Sequence, residues 1–156
     1  MSTHTEPTPA LEAGEHYAAA RLGPLSKLMQ YSTAMPDGSR FPGKIWLKQL
    51  LGLSGLEISI GAMAPGQQVP FVHAHRQNEE LYVFLSGRGE MSVDDAVIPV
   101  EAGTVLRVDP AGARCWRNTG QEELVYAVIQ AKAGSLEQWT GEDGFQPGNQ
   151  TPAWAR

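Results

Sequence analysis

Two imidazoles and a carboxylate fall within one short stretch, His73-Ala-His75-Arg-Gln-Asn-Glu79-Glu80. The histidines are two residues apart, so on a strand they project from the same face. Arg76 to Glu79 is polar and reads as a turn, and Leu81 to Leu85 is rich in β-formers, which predicts a second strand returning beside the first. On that strand Glu80, Tyr82 and Phe84 share one face, while Glu79, Leu81, Val83 and Leu85 share the other. Both faces are largely apolar, so parity leaves open which glutamate points inward. Two neutral imidazoles and one carboxylate suit Fe(II), Mn(II), Ni(II) or Zn(II), with coordination positions left for water or substrate. Without a metal, the same His-x-His pair is a set of packed or solvent-facing polar residues.

The elements that must position these groups are mostly strands. Leu56 to Ala64 alternates and ends at Pro-Gly, and Val69 to His75 is the expected histidine strand. Glu80 to Ser86 follows, then a hairpin of Arg88 to Val93 and Ala96 to Val100 around Asp94-Asp95. Thr104 to Val108, Arg114 to Asn118 and Glu123 to Ala131 complete about eight strands, a number that suits a jelly roll. Four regions are expected: a mobile tail over 1–14, an extension over 15–55 packing on the barrel, the barrel over 56–133, and an irregular C-terminal tail over 134–156. Within the extension a short helix is predicted around Glu15 to Arg21, and Lys44 to Leu53 is apolar with a period that fits either a strand or a helical turn. Trp139, Phe145 and Trp154 suggest that the C-terminal tail packs on the body.

The stretch Gly66-Gln-Gln-Val-Pro-Phe-Val-His73-Ala-His75 through Glu80 to Gly87 resembles the first motif of the cupin superfamily. In that motif the ligand glutamate stands five residues after the second histidine and seven before the closing glycine, spacings that Glu80 meets and Glu79 does not. The resemblance covers roughly Gly61 to Ala131. It implies an all-β, cupin-type double-stranded β-helix, or jelly-roll barrel, with the metal ligands His73, His75 and Glu80 inside. The second motif normally ends with a histidine as the last ligand. Here the chain reads Gly103-Thr-Val-Leu-Arg-Val-Asp-Pro110-Ala-Gly112-Ala-Arg114-Cys115-Trp116-Arg117-Asn118. Counting forward from Gly112 puts Cys115 in the histidine position, and counting back from Asn118 puts Arg114 there. Cys115 as a thiolate would complete a metal shell and favour a softer metal such as zinc. Arg114 has no lone pair to offer, and would instead pair with Glu80 and make a metal less necessary. Tyr82, Phe84, Arg114 and Trp116 are the expected pocket-lining residues, although Tyr82, Phe84 and Trp116 also suit a barrel core. The wording of Leu51-Gly-Leu-Ser-Gly-Leu-Glu-Ile-Ser59 and Arg114-Cys-Trp-Arg-Asn118 is similar to a subgroup of small bacterial single-domain cupins of unestablished function, which implies a fold and a pocket rather than a reaction.

Three functional readings follow. The first is a metal-dependent enzyme, an oxygenase or isomerase, acting on a small molecule, with Tyr82 as a weak candidate general base. The second is a metal-free module binding a small, anionic metabolite through His73, His75 and Arg114. The third is an oligomerising accessory protein with a vestigial pocket. A formal charge of −5 argues against nucleic acid or a membrane surface as partner. There is no P-loop, no dinucleotide fingerprint and therefore no expected nucleotide cofactor. A single cysteine excludes an intrachain disulfide, and with no signal-peptide core the expected location is the cytoplasm. An apolar extension ahead of a barrel makes a homodimer the expected assembly. Arg107 and Arg117 have two readings, cations pointing into the cavity towards an anionic ligand or surface ion-pair residues, and the second is preferred.

Overall fold

A computed structural model describes residues 6–156 of the chain. Twelve strands are present: β1 (Ala10–Ala13), β2 (Ala18–Arg21), β3 (Ser32–Ala34), β4 (Arg40–Pro42), β5 (Lys44–Trp46), β6 (Glu57–Met63), β7 (Asn78–Ser86), β8 (Arg88–Val93), β9 (Ala96–Glu101), β10 (Val105–Val108), β11 (Arg114–Asn118) and β12 (Leu124–Lys132). Five of them form an antiparallel sheet in the order β10-β7-β12-β6-β5, and three form a second sheet in the order β11-β8-β9. Together they make the expected jelly roll. Alternation along each strand divides inner from outer side chains. Met63, Tyr82, Phe84, Met91, Trp116, Leu124, Tyr126 and Val128 fill the inner core.

The apolar run of β12 has a reason on each face. Leu124, Tyr126 and Val128 point into the barrel, while Val125 lies on the outer face with Ala62, under Leu28 and Tyr31 of the extension. A 3-10 helix, Leu25–Gln30, supplies Leu28 and so caps this outer face. Lys44 to Leu53 proves to be both of its alternatives in turn, the strand β5 followed by the short helix α1 (Lys48–Leu51), which stops at left-handed Gly52. The predicted two-residue turn at Asp94-Asp95 joins β8 to β9, with Val93 opposite Ala96.

Four expectations are corrected. The segment Glu15 to Arg21 is not a helix: Ala18–Arg21 pairs antiparallel with Ala10–Ala13 in a separate hairpin. A seven-residue run, even one rich in alanine, is too short to hold a helix by propensity alone. Of the tail expected over 1–14, the first five residues lie outside those described, and Ala10–Ala13 is a strand. The histidine segment belongs to neither sheet. It is tied by isolated bridges from Gln68 to Arg117 and from His73 to Arg114, so it lies against β11, whereas β7 pairs with β10 and β12. Finally, Trp139, Phe145 and Trp154 are largely solvent-exposed rather than packed on the barrel. No helix among the described residues is long and apolar enough to cross a membrane.

Candidate functional site

The backbone of His73 exchanges two hydrogen bonds with that of Arg114, His73 N donating to Arg114 O at 3.1 Å and Arg114 N to His73 O at 2.8 Å. Two residues on, His75 N donates to Pro110 O at 2.8 Å. These anchors hold the irregular segment extended, so both imidazoles reach the same carboxylate. Glu80 comes from β7, whose inward face carries Glu80, Tyr82 and Phe84, all buried. Gly87 ends that strand at φ +82°, and a Cβ there would stand 2.4 Å from the carbonyl oxygen of Glu123, so a side chain is excluded where the motif asks for glycine.

Glu80 is the centre of the site. Its Oε2 accepts a 2.6 Å hydrogen bond from the Tyr82 hydroxyl and lies 3.3 Å from Arg114 Nε. Its Oε1 is 3.0 Å from His75 Nε2, and His73 Nε2 is 3.9 Å from Oε2. His73, His75 and Glu80 bring one ligand atom each within 4.8 Å of one another. Two buried imidazole nitrogens, His73 Nδ1 and His75 Nε2, make no hydrogen bond. Burial pushes the His73 pKa below its ordinary value, outweighing the opposing field of Glu80, and the Arg114 charge adds to the depression. A neutral imidazole is the form that binds a metal. Tyr82 and Arg114 occupy Oε2, which leaves Oε1 and the two imidazoles as free donors, so the residues fit a divalent ion held by three protein ligands.

The structure answers which residue replaces the fourth ligand. On β11, Arg114, Trp116 and Asn118 are buried, while Arg117 is exposed and Cys115 is only partly buried. Arg114 is the inward residue, fully buried, and its Nη2 donates to Asp109 O at 2.9 Å. Cys115 faces away from the site, its thiol 3.3 Å from Val69 O, in a shallow groove with Ser92, Val97 and Arg117. Burial raises its pKa, which further removes it from ligand chemistry. Asn118 is structural: its amide donates to Met63 O and Glu122 O, both at 2.7 Å. Tyr82 is not a base, because burial and the neighbouring Glu80 carboxylate drive its pKa upward and its proton is committed to Glu80. Arg107 bridges Glu79 and Asp109, and Arg117 pairs with Glu90, all at the surface.

A cavity of about 270 Å³ opens beside His73, His75 and Glu80. Trp116 is among its lining residues, and Tyr82, Phe84 and Arg114 are not. The opposite wall comes from the N-terminal extension, through Met35, Phe41, Lys44 and Trp46. Lys44 is the functional candidate that the sequence reading missed. Its Nζ lies 4.3 Å from the centre of the Trp46 ring and 5.7 Å from that of Trp116. The signal was present in the alternation of Lys44-Ile45-Trp46: Ile45 packs on the outer cluster under Leu28, so Lys44 and Trp46 face the other way.

A family model described as a cupin domain matches residues 59–130. A cupin protein from Bacteroides fragilis of known crystal structure is 42% identical and superposes with a TM-score of 0.65, covering 66% of this chain and 87% of that one. The chain is 37% identical over 79 residues to a glucose-6-phosphate isomerase of Pyrococcus horikoshii, a match covering 47% of this chain and 42% of the relative. It is 35% identical to the enzyme of the same name from Pyrococcus abyssi, with the same coverage. The chain thus spans less than half the length of the curated relatives it matches.

Proposed function

Because the chain belongs to the cupin superfamily, we propose that its cavity receives a small molecule beside one divalent metal ion held by His73, His75 and Glu80, and that it catalyses isomerase- or oxygenase-type chemistry there. The observation that carries this reading is the convergence of three donors with two buried imidazole nitrogens left without partners. Iron, manganese, nickel and zinc all suit such a donor set. A bound ion would supply Lewis-acid polarisation of an oxygen on the small molecule. Tyr82 and Arg114 hold the Glu80 carboxylate in one orientation through Oε2 and leave Oε1 turned towards His75. Trp46, Phe71 and Trp116 give the cavity aromatic walls that suit a small molecule. The names of the curated relatives support the isomerase alternative of the two.

A second reading has its own support. The Arg114 guanidinium already balances the Glu80 charge from the position where the family pattern expects a fourth ligand. A metal-free pocket that binds a small metabolite through the imidazoles is consistent with that pairing. Elemental analysis separates the two, using untagged protein purified without chelator alongside the Glu80→Gln and His73→Ala/His75→Ala variants. The metal reading expects about one ion per chain in the unmodified protein and a large loss in both variants. Protein that is metal-free and refuses iron, manganese, nickel and zinc on loading would overturn it in favour of the metal-free pocket.

A further inference from the structure

We propose that Lys44 anchors the anionic end of the cavity's ligand, and that this ligand is a small monocarboxylate with an apolar body. The inference rests on the cavity being a ligand site, as proposed above, but not on the presence of a metal. Lys44 enters the cavity from the strand β5 and forms no ion pair with any carboxylate among the described residues, Glu80 and Glu57 acting on it only through their longer-range fields, while Arg114 and Tyr82 engage Oε2 of Glu80. Burial brings its pKa down to about 8 against the fields of Glu80 and Glu57, so at neutral pH it remains mostly an ammonium. A partly desolvated ammonium without a counter-ion lacks half of an ion pair, and an incoming anion supplies it.

The surroundings narrow the class of anion. Trp46 and Trp116 flank the ammonium, and Phe41, Phe71 and Tyr126 continue the wall. The hydroxyl of Thr33 is already the acceptor for Trp46 Nε1 at 2.8 Å. The side-chain oxygen of Gln130 is likewise occupied, accepting from Asn78 at 3.0 Å. One ammonium in an aromatic box matches one carboxylate on an apolar body. It is a poorer match for a phosphate dianion, which requires several charged donors at once, since Lys44 is the one lysine or arginine among the described lining residues. A cavity of about 270 Å³ also sits at the small end for ligand sites.

The test is calorimetric titration of the full chain with benzoate, its neutral counterpart benzyl alcohol, inorganic phosphate and glucose 6-phosphate. Because Trp46 and Trp116 flank Lys44, quenching of intrinsic fluorescence gives a second, local readout. Benzoate is expected to bind at least about tenfold more tightly than benzyl alcohol and than either phosphate compound. Lys44→Met should abolish that preference and leave benzyl alcohol binding unchanged, and Lys44→Arg should retain it. Equal binding of benzoate and benzyl alcohol, absence of benzoate binding, tighter binding of glucose 6-phosphate, or a preference that survives Lys44→Met would each overturn the assignment. Repeating the titration on metal-stripped protein separates the two proposals. A preference that persists in a protein unable to load metal refutes the metal reading alone, and a metal-loaded protein without the preference refutes the Lys44 reading alone.

Discussion

Arg114 is the residue on which the site's electrostatics turn. A fully buried guanidinium costs several kcal/mol in lost hydration, and its compensation here is one carboxylate at 3.3 Å and one carbonyl at 2.9 Å. Removing either partner should therefore leave an uncompensated charge. Arg114→Met is expected to destabilise the fold by about 3 kcal/mol, and Glu80→Gln by a similar amount. The double variant should be more stable than the sum of the singles implies, by about 1 kcal/mol or more. Urea unfolding of the four proteins measures this, and additive losses would show that the pair is not coupled. The sequence carried part of this picture. Glu80 was separable from Glu79 only through the resemblance, whose spacings to His75 and Gly87 it alone meets, because both faces of the strand are largely apolar. Arg114 and Cys115 were not separable, because the second motif is one residue short and adjacent strand positions face opposite ways. The full burial of Arg114 and its contact with Glu80 decide between them.

The element that closes the cavity is β5, and its path depends on Gly43. That residue has φ +81°, donates to Tyr31 O at 2.7 Å and accepts from Ala62 N at 2.7 Å. A Cβ would stand 2.0 Å from Ala62 O, so the chain can pass from β4 to β5 at this distance from β6 only without a side chain. Gly43→Ala should cost about 2–3 kcal/mol in stability, lowering the melting temperature, and should also move Lys44 enough to weaken the preference for benzoate over benzyl alcohol. A variant with unchanged melting and unchanged ligand preference would show that the crossing at Gly43 positions nothing. The barrel strands β6 to β12 were legible from alternation and turn residues because each has one face on the inner core. The extension was not. Its strands are three or four residues long, too short for a period to register, even though each pairs with a near neighbour in sequence. The cavity's outer wall, with Lys44 and Trp46, was overlooked because its one signal, a three-residue alternation, stands beside a motif that concerns only the inner wall. The aromatic residues of the C-terminal segment misled in the opposite direction, since burial was inferred from side-chain type and the side chains are exposed.

For the whole molecule, the open question is what covers the hairpin of β1 and β2. A two-stranded hairpin is marginal by itself in water and needs a third strand or an apolar surface against it. Every residue of β1 is exposed, and Leu11 and Tyr17 are 55% and 56% exposed, with Trp46 and Leu56 also presenting apolar surface to solvent. A net charge of only −5 opposes self-association weakly. A second copy of the chain is the proposed cover, which makes the protein a homodimer whose interface includes this hairpin. Sedimentation equilibrium should then return twice the 16.9 kDa chain mass. The Leu11→Glu/Tyr17→Glu variant should return the mass of one chain, while keeping the circular dichroism of the barrel, because neither side chain contributes to the inner or outer core clusters. An unmodified protein that is monomeric across the accessible concentration range would refute the dimer. A variant that remains dimeric would move the interface away from the hairpin. If dissociation also weakened benzoate binding, β5 would be the link, since Trp46 presents apolar surface to solvent while its neighbour Lys44 lines the cavity.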